Sequence, residues 1–367
     1  MVQIYRMQNT SLNETVRCST GLPFPWPNSG KFYASTITEI VFLISTSAFS
    51  SILNAVIVVS LVRKEQLRTP ANLILTSMAV SDFLVGFLSE PIAVTRRIFD
   101  IYGYPSCLLQ KINLFLGSSC VPVSFINITI FALDRCFATV FPYRYIRYVT
   151  YKKYLILVLL VWIAIVLLAL LSSFTVVTHG SVQLIYSFLF LTSLVLCFIS
   201  YIVIYRTIRS LTKRTATVAI AESIPRNRDL KLVDKGVPHN LNQDATSKIE
   251  RFEISVVNNE EGGSPAAITT NIRNLKGEKS RCWTAFILLS VFYLSYLPHF
   301  ILGRVFERVQ VDETSKYIAR FWTINIIFLN SSLNPIIYCV RVQDIRLQLK
   351  ATVAACFSLV RPAGELY

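Results

Sequence analysis

Hydrophobic residues fill six long runs of the sequence that contain no Asp, Glu, Lys or Arg. These runs are residues 40–62, 112–133, 154–178, 181–205, 282–303 and 321–340. A helix needs about 20 apolar residues to cross the hydrocarbon core of a bilayer, and each run reaches that length. A further segment, residues 71–94, is equally apolar apart from Asp82 and Glu90. The pattern therefore predicts seven membrane-crossing segments.

The length of the seven segments indicates helices rather than strands. Backbone polar groups cannot stay unpaired in hydrocarbon, and the runs are longer than the roughly 10 residues of a barrel strand. The predicted fold is an all-α bundle of seven transmembrane helices. Beyond the last run, apolar Val342, Ile345 and Leu349 alternate with polar residues, which predicts a short amphipathic C-terminal helix on the membrane surface.

The predicted spans divide the chain into five regions. They are a tail (1–35), helices 1–5 (36–205), a long loop (206–281), helices 6 and 7 (282–340), and the surface helix with its tail (341–367). The loop holds 14 basic and 9 acidic residues. It has little periodicity, and such a composition is typical of a largely disordered segment.

Composition excludes most soluble proteins. Apolar residues make up 53% of the chain, and charged residues only 16%, against about 25% in an ordinary soluble domain. The net charge of +15 comes from cations spread among loops and span ends, so the pattern argues against a nucleic-acid-binding module. The eight cysteines form no CxxC pair, which argues against a zinc finger or a disulfide scaffold.

Charge distribution predicts the orientation. Most Lys and Arg residues fall in segments that are cytoplasmic if the N-terminus is extracellular, as the positive-inside rule requires. Asn9 and Asn13 begin Asn-X-Ser/Thr motifs in the leading tail, where glycosylation requires the lumenal side. We therefore expect a multi-pass membrane protein with an extracellular, glycosylated N-terminus.

Polar side chains inside the predicted spans mark candidate sites, because lipid makes them costly. Asp82 lies in the middle of the second span. One carboxylate with neutral oxygen donors at similar depth suits a small hard cation such as sodium. The predicted sodium ligands are Asp82, Ser124, Asn330, Ser331 and Asn334. The alternative is that Asp82 is a structural hydrogen-bonding hub between helices.

Two motifs at span ends connect the sequence with a family. The third span ends in Asp134-Arg135-Cys136, and the seventh contains Asn334-Pro335-Ile336-Ile337-Tyr338. Together with Asn54, Asp82, Trp162, Phe292 and Pro298 in the other spans, this order resembles the rhodopsin-like (class A) G protein-coupled receptors over about residues 36–357. The resemblance implies a receptor at the plasma membrane that signals to a heterotrimeric G protein, with arrestin and receptor kinases as further partners.

The resemblance also implies a switch. Arg135 pairs with Asp134 and is held to Glu278 at the inner end of the sixth span in the inactive state. Pro298 removes a backbone donor and makes a pivot for that helix. Further residues implied to take part are Tyr201, Phe292, Tyr296, Asn334, Pro335 and Tyr338. On opening, Tyr201 and Tyr338 are expected to turn inward and support Arg135.

Several positions depart from the family pattern. Cys136 replaces the tyrosine of the Asp-Arg-Tyr motif, and Tyr296 replaces the tryptophan before the sixth-span proline. Ser193 stands where the fifth span usually carries proline. These changes preserve the Asp134–Arg135 charge pair. The change at Tyr296 alters the details expected of activation, and the change at Ser193 removes the helical bulge expected in the fifth span.

Cysteines at the two membrane faces raise separate questions. The second outer loop has no cysteine to pair with Cys107, so the family's usual disulfide has no partner there. A Cys18–Cys107 bridge is the hypothesis that remains. Cys356 follows the surface helix and is a candidate for acylation, with an unmodified thiol as the alternative.

The outer halves of the spans restrict the ligand. Gly117 stands where amine receptors carry aspartate, and Phe328 where opsins carry the Schiff-base lysine. A classical monoamine or retinal is therefore disfavoured, and a peptide, lipid or other small molecule is expected. The candidate ligand contacts are Glu90, Ser118, Tyr296, His299 and Phe300. Glu90 either counters a cationic ligand group or pairs with Arg96 or Arg97, and His299 is either a contact or a hydrogen-bonded interior residue.

Other membrane functions fit less well. A transporter, the main alternative together with a channel, predicts broken helices and an internal repeat, and neither is visible. An enzyme needs a nucleophile, metal or paired-acid arrangement, yet the chain has three histidines and no HExxH, GxSxG or glycine-rich phosphate loop. We therefore predict a non-enzymatic receptor that requires no cofactor and binds an allosteric sodium ion.

Overall fold

The structure, a computed structural model, describes most of the membrane-embedded part of the chain. The described residues are 30–63, 65–102, 104, 106–174, 179–223, 283, 286–287, 289–303, 305–306, 309–341 and 346–347. The candidate site residues Asn9, Asn13, Cys18, Glu278 and Cys356 lie outside these ranges. Of the predicted surface helix, only residues 346–347 are described, and they are helical.

Seven helices each overlap one predicted span. They are α1 (Gly30–Arg63), α2 (Pro70–Ile101), α3 (Cys107–Val140), α4 (Tyr151–Phe174), α5 (His179–Ser223), α6 (Leu289–Gly303) and α7 (Glu313–Arg341). A 3₁₀ turn, Glu65–Leu67, joins α1 to α2, and a short helix, Pro142–Tyr148, joins α3 to α4. The predicted all-α seven-helix bundle is confirmed.

The seven helices differ in how well they suit a membrane by themselves. Helices α1 to α4 and the segment Leu184–Thr212 of α5 are long and apolar enough to span a bilayer, and α6 is a shorter apolar helix. Helix α7 is more polar because Asn and Ser residues line its buried face, including Asn325, Asn330 and Asn334. Its polarity reflects contacts inside the bundle rather than exposure to water.

Several helices extend beyond the apolar runs that predict them. The sequence assigns residues 1–35 to the tail and begins the long loop at residue 206, whereas α1 begins at Gly30 and α5 continues to Ser223. No Gly or Pro interrupts residues 206–223, and α5 ends just before the Ile224-Pro225 pair, where helices usually stop. The thickness of the hydrocarbon core sets the length of the apolar run, whereas the helix can continue beyond it.

The chain forms two compact units. The first comprises residues 1–204 and 281–367 and contains the helix bundle. The second comprises residues 205–280, and its described part is the final segment of α5. The features discussed below all lie in the first unit.

Contacts between helices fix their relative directions. Thr46 contacts Glu90 and Ser50 contacts the Asp82 carbonyl, so α1 and α2 are antiparallel. Asp82–Asn334 and Asp100–Tyr317 contacts make α2 and α7 antiparallel as well. We call the end of the bundle with Gly30, Ile101 and Cys107 the Gly30 end, and the opposite end with Arg63, Pro70 and Val140 the Arg135 end.

A π-helical turn, Val85–Ser89, interrupts α2. Gly86 lies in this turn, and a Cβ there would lie 2.8 Å from the Ser50 Cβ and the Ser51 backbone nitrogen. Ser47 donates a hydrogen bond to the Gly86 carbonyl at 2.7 Å. The missing side chain thus lets α1 and α2 approach closely, and the π turn changes which residues of α2 face the interior.

The main apolar core lies between the helices and toward the Arg135 end. Its buried members include Ile57, Met78, Ile128, Phe292 and Tyr338. A smaller core of Leu43, Val85, Cys120 and Phe328 lies nearer the Gly30 end. The two cores bracket the level of Asp82, where polar side chains meet.

Candidate functional site

Arg135 lies near the last residues of α3 in a buried ion pair. Its Nε donates to Asp134 Oδ2 at 2.9 Å, and its Nη2 bonds the same oxygen. Both residues are buried. The predicted neighbour pair is therefore present, while the predicted partner Glu278 lies outside the described residues.

Tyr145 holds this ion pair from the short helix Pro142–Tyr148. Its hydroxyl donates to Asp134 Oδ1 at 2.9 Å and accepts from Arg135 Nη2 at 3.2 Å. Sequence reasoning missed Tyr145, although Pro142 is a typical first residue of a helix. The sequence thus indicated a helix beginning at Pro142, but not that its Tyr145 returns to the end of α3.

Asp82 is almost fully buried in the middle of α2. Asn334 Nδ2 donates to Asp82 Oδ2 at 2.7 Å, and the Ser331 side chain lies near this carboxylate. Ser124 contacts the adjacent residue Ser81 at 2.9 Å between hydroxyls. The structure thus brings Asp82, Ser331 and Asn334 together. Ser124 of α3 contacts Ser81, the residue that precedes Asp82 in α2.

The donor set around Asp82 fits a hard cation. Asn330 and Asn334 both carry a buried side-chain carbonyl oxygen that has no hydrogen-bond donor among the described residues. A carboxylate, hydroxyls and unpaired amide oxygens are the ligands that sodium prefers. No cluster of three or more His, Cys, Asp or Glu occurs in the described part of the chain, so a thiolate or imidazole metal centre is not formed there.

Ser193 joins three helices. Its hydroxyl hydrogen-bonds Thr129 of α3 and lies 2.6 Å from the Tyr293 hydroxyl of α6. Residue 193 is where the family usually has proline, and here a hydroxyl forms polar contacts on both sides. The sequence revealed the substitution at Ser193 but not these partners, because neither Thr129 nor Tyr293 belongs to a recognised motif.

Aromatic rings connect α5 and α6 above this hydroxyl cluster. The Phe190 ring lies 4.6 Å from Tyr296, 5.6 Å from Phe300 and 5.3 Å from Tyr293 between centroids. Tyr296 stacks nearly parallel on Phe292 at 6.2 Å. The proposed pivot residues Phe292 and Tyr296 are therefore in mutual contact, in the helix that contains Pro298.

The candidate ligand residues separate into two groups. Tyr296 and Phe300 surround Phe190, and Tyr186 lies beside both Ser118 and Tyr296. His299 Nδ1 is 3.0 Å from Thr323 Oγ1, which makes it a hydrogen-bonded interior residue. The group formed by Ser118, Tyr296 and Phe300 is the part of the prediction that the structure brings together.

Glu90 of α2 lies apart from that group, and its side chain faces α1. Thr46 Oγ1 donates to Glu90 Oε2 at 2.6 Å, whereas Oε1 has no hydrogen-bond partner in the described residues. The alternative that Glu90 pairs with Arg96 or Arg97 is wrong. Both arginines pair instead with other acids on α1 and α2, because they lie at least one helical turn nearer the Gly30 end.

A buried charged cluster at the Gly30 end was not expected from the sequence. Arg97 Nη2 lies 2.9 Å from Glu39 Oε2, and Arg97 Nη1 donates to the Tyr317 hydroxyl at 2.7 Å. Tyr317 in turn donates to Asp100 Oδ2 at 2.8 Å. The Arg97 guanidinium also lies 3.3 Å from the centre of the Phe321 ring. We call Glu39, Arg97, Asp100 and Tyr317 the outer clamp, since it joins α1, α2 and α7.

Cys107 is the first residue of α3 and is disulfide-bonded. Its predicted partner Cys18 lies outside the described residues. Three other cysteines, Cys120, Cys136 and Cys197, carry free thiols. The Cys18–Cys107 pairing therefore stays a prediction.

Comparison with known proteins gives a match over most of the chain. A family model described as "7 transmembrane receptor (rhodopsin family)" matches residues 53–338. The trace amine-associated receptor 13c of Danio rerio is 32% identical over 120 residues, which cover 32% of this chain and 34% of that receptor. The Drosophila melanogaster neuropeptide F receptor is 33% identical over 97 residues, or 26% of this chain and 20% of that receptor.

A longer alignment has lower identity. The human 5-hydroxytryptamine receptor 1E is 24% identical over 351 residues, which cover 87% of this chain and 94% of that receptor. By contrast, the chain spans only about a third of the first relative and a fifth of the second. The names of these relatives refer to different ligands, so the similarity extends to the receptor class rather than to one ligand.

Proposed function

The chain belongs to the rhodopsin family of seven-transmembrane receptors, and we propose that it converts binding of an extracellular ligand into nucleotide exchange on a heterotrimeric G protein. The family is one of receptors rather than enzymes, and its members are multi-pass membrane proteins. In our proposal the N-terminus is extracellular, so the Gly30 end receives the ligand and the Arg135 end faces the G protein. Arrestin and receptor kinases are proposed as further cytoplasmic partners.

The buried ion pair of Asp134 and Arg135 is the observation that carries this proposal. A guanidinium at the end of a transmembrane helix is costly to bury unless it is paired. Here Asp134 and Tyr145 satisfy it within the same end of the bundle. An arginine held in this way can be released to a new partner when the surrounding helices separate.

Helix α6 is the element that we expect to move. Pro298 lies inside it, so one backbone hydrogen bond is missing and the helix can bend there. Its described polar link to α5 is the Tyr293–Ser193 contact, and its other described contacts with α5 are between aromatic rings. Its polar contact with α7 is the one between His299 and Thr323. Outward movement of the inner half of α6 opens the space next to Arg135, where the G protein binds.

A ligand drives this change only if it binds the open conformation more tightly. A preference of about 5.5 kcal/mol shifts a population from 1:99 to 99:1. Tyr296 and Phe300 are suited to sense such a ligand, because they lie on the aromatic contacts that connect through Phe190 to Phe292. We propose a peptide, lipid or other small molecule as the ligand, since Gly117 offers no carboxylate to an amine.

We further propose that sodium binds at Asp82 and stabilises the closed conformation. The residues that would hold it are Asp82, Ser124, Asn330, Ser331 and Asn334, and the unpaired amide oxygens of two of them support this assignment. A bound cation supplies positive charge between α2 and α7. Asp82→Asn should abolish any dependence of ligand affinity or thermal stability on sodium, with potassium as the matched salt. Sodium sensitivity that survives this change removes Asp82 from the site.

The direct test of the proposed function is nucleotide exchange on a panel of G proteins. Membranes that carry this chain should accelerate exchange on at least one G protein, with or without added amines, lipids and peptides. Arg135→Ala should reduce that acceleration. Arg68→Ala is the matched control, because Arg68 is an exposed arginine that pairs with Glu65 at 3.5 Å on the same end of the bundle. Equal exchange by wild type and Arg135→Ala under every condition contradicts the proposed role of Arg135.

A further inference from the structure

The short helix Pro142–Tyr148 exposes almost all of its surface. None of its seven residues is buried, and Tyr143 and Ile146 are 89% and 79% exposed. Tyr145 is half-buried, and its hydroxyl donates to Asp134. The helix therefore turns Tyr145 toward the bundle and most of its other side chains away from it.

The position of this helix places its exposed side at the bilayer surface. It joins α3 to α4 at the Arg135 end of the bundle, and the uninterrupted apolar run of α4 begins at Tyr154. The hydrocarbon boundary thus lies close to the first turn of α4. Tyrosine and isoleucine are favourable at this level, because their apolar parts leave water while the tyrosine hydroxyl stays among the headgroups. The exposure of Tyr143 and Ile146 is therefore typical of a helix that lies on a membrane.

Cations occupy the side of the helix that faces away from Tyr145. Arg144 and Arg147 are three residues apart, so they are neighbours on one helical face. Lys153 Nζ donates a hydrogen bond to the Tyr148 carbonyl at 3.0 Å, which brings the start of α4 against the end of the short helix. The cations of both segments are exposed. We call Arg144, Arg147, Lys152 and Lys153 the basic surface.

The charge of the basic surface is not balanced by nearby acids. None of its four cations forms an ion pair within the described residues, and residues 135–221 contain no Asp or Glu. The guanidinium carbons of Arg144 and Arg147 lie 5.5 Å and 5.7 Å from the ring centres of Phe141 and Tyr148. Such ring contacts use no hydrogen-bond acceptor, so the N–H donors of both arginines stay available to an anion.

We propose that the basic surface binds the headgroup of a phospholipid that carries a phosphomonoester, such as a phosphoinositide, while Tyr143 and Ile146 enter the boundary of the acyl chains. Four unbalanced cations favour a headgroup with more than one negative charge, and a phosphomonoester carries about −1.5 to −2 near pH 7. Arginine also binds phosphate through two parallel hydrogen bonds. The inference goes beyond the proposed function, because lipid binding of this kind does not require signalling.

The test measures lipid binding to the purified full-length protein in nanodiscs. The discs contain phosphatidylcholine with increasing fractions of phosphatidylinositol bisphosphate, or of phosphatidylserine at equal total lipid charge. Binding is measured as the rise in unfolding temperature, which requires no G protein. The phosphoinositide should give half of the maximal rise at a clearly lower lipid charge than phosphatidylserine. Soluble inositol trisphosphate, added to phosphatidylcholine discs, should leave the unfolding temperature nearly unchanged, because it has no acyl chains to hold it beside the helix.

Variants assign the binding to the basic surface. Arg144→Gln combined with Arg147→Gln should require about 20-fold more phosphoinositide for half of the rise, since each cation contributes about fivefold at an anionic lipid surface. Both residues are exposed, so the variant should fold. Arg63→Gln combined with Arg68→Gln is the matched control, because it removes two exposed arginines at the same end of the bundle. Ile146→Ser should weaken the lipid several-fold without changing the charge.

Three results overturn the inference: equal effects of the phosphoinositide and phosphatidylserine at equal charge, equal losses in the two double variants, and an equal rise with soluble inositol trisphosphate. Nucleotide exchange, measured in parallel, separates this inference from the proposed function. Selectivity for the phosphoinositide that depends on Arg144 and Arg147, without exchange on any G protein, supports the basic surface and contradicts the signalling role. If the lipid has no effect but the Arg144 and Arg147 variant loses exchange in phosphatidylcholine alone, the surface binds the G protein and the inference is wrong.

Discussion

Helices α1, α2 and α7 are joined by polar contacts at three levels along their length, whereas α3, α5 and α6 meet mainly through aromatic rings and one hydroxyl cluster. The three levels are the outer clamp, the contacts of Thr46 with Glu90 and Ser332, and the Asp82–Asn334 region with Asn54. Hydrogen bonds and ion pairs require fixed geometry, while ring contacts tolerate sliding and rotation. We therefore expect α1, α2 and α7 to stay fixed relative to one another and α6 to be able to move.

The largest effect is expected when the group of α1, α2 and α7 loses a charge. Arg97→Ala leaves Glu39 unpaired and removes the donor to Tyr317, so we expect a loss of about 3–5 kcal/mol in the free energy of unfolding. Thermal unfolding of the detergent-solubilised protein measures this. Arg96→Ala is the control and should cost clearly less, because Arg96 forms no close ion pair. Equal unfolding temperatures for Arg97→Ala and wild type contradict the clamp.

The hydroxyl cluster should couple α5 to α6. Ser193→Ala and Tyr293→Phe each remove one side of a 2.6 Å hydrogen bond, and each should cost about 1–2 kcal/mol of stability. Because both changes remove the same bond, the double variant should cost less than the sum of the two, which a double-mutant cycle measures. If the stability costs of the two single variants add exactly, the Ser193–Tyr293 bond contributes nothing to stability. In that case aromatic contacts alone hold α6 to α5.

Tyr145 should restrain the switch rather than the fold. Tyr145→Phe removes hydrogen bonds to Asp134 and Arg135 while keeping the ring packed on Phe137, at 6.0 Å between centroids. We expect basal nucleotide exchange to rise several-fold with little change in unfolding temperature. Tyr148→Phe is the control, because Tyr148 is an exposed tyrosine of the same short helix. A fall in basal exchange means that Tyr145 supports the active conformation instead.

The smallest effect is expected at Asp312, just before α7. The Ser315 backbone N–H donates to Asp312 Oδ1 at 2.8 Å, and hydrogen bonds from Ser315 lower the pKa of this carboxyl below its usual value. Because the pKa is lowered, the stabilisation is present above the unfolded pKa of about 3.9 and is lost as the pH falls through the folded pKa. Asp312→Ala should slightly increase amide exchange in the first turn of α7 at pH 7. An unchanged exchange rate there means that Asp312 does not hold this turn.

The sequence predicts the helices well because lipid leaves few alternatives to an apolar run of 20 or more residues. It does not predict their ends, and α1 and α5 both continue past the hydrocarbon boundary. Residues within one motif, such as Asp134 and Arg135, are predictable because they are neighbours in the chain. The Asp100–Tyr317 contact joins residues 217 positions apart. Such pairs depend on which helix faces meet, and periodicity alone does not determine that.

Ser193 and Tyr145 illustrate two different reasons for missing a site residue. At Ser193 the departure from the family pattern was visible, but its partners on α3 and α6 were not. At Tyr145 the helix-starting Pro142 was visible, but a loop of this length has several ways to return to α3. In both cases the missing information was the direction of a side chain relative to a neighbouring helix.

The distance between α4 and α6 at the Arg135 end tests the central claim most directly. Spin labels at Lys152 of α4 and at Trp283, an exposed helical residue that precedes α6, leave the Arg135 ion pair unchanged. Pulsed electron paramagnetic resonance then measures the distance between the two labels, with and without a nucleotide-free G protein that the receptor activates. The account predicts a new population at longer distance when the G protein is bound. An identical distance distribution in both states contradicts the movement of α6 away from Arg135.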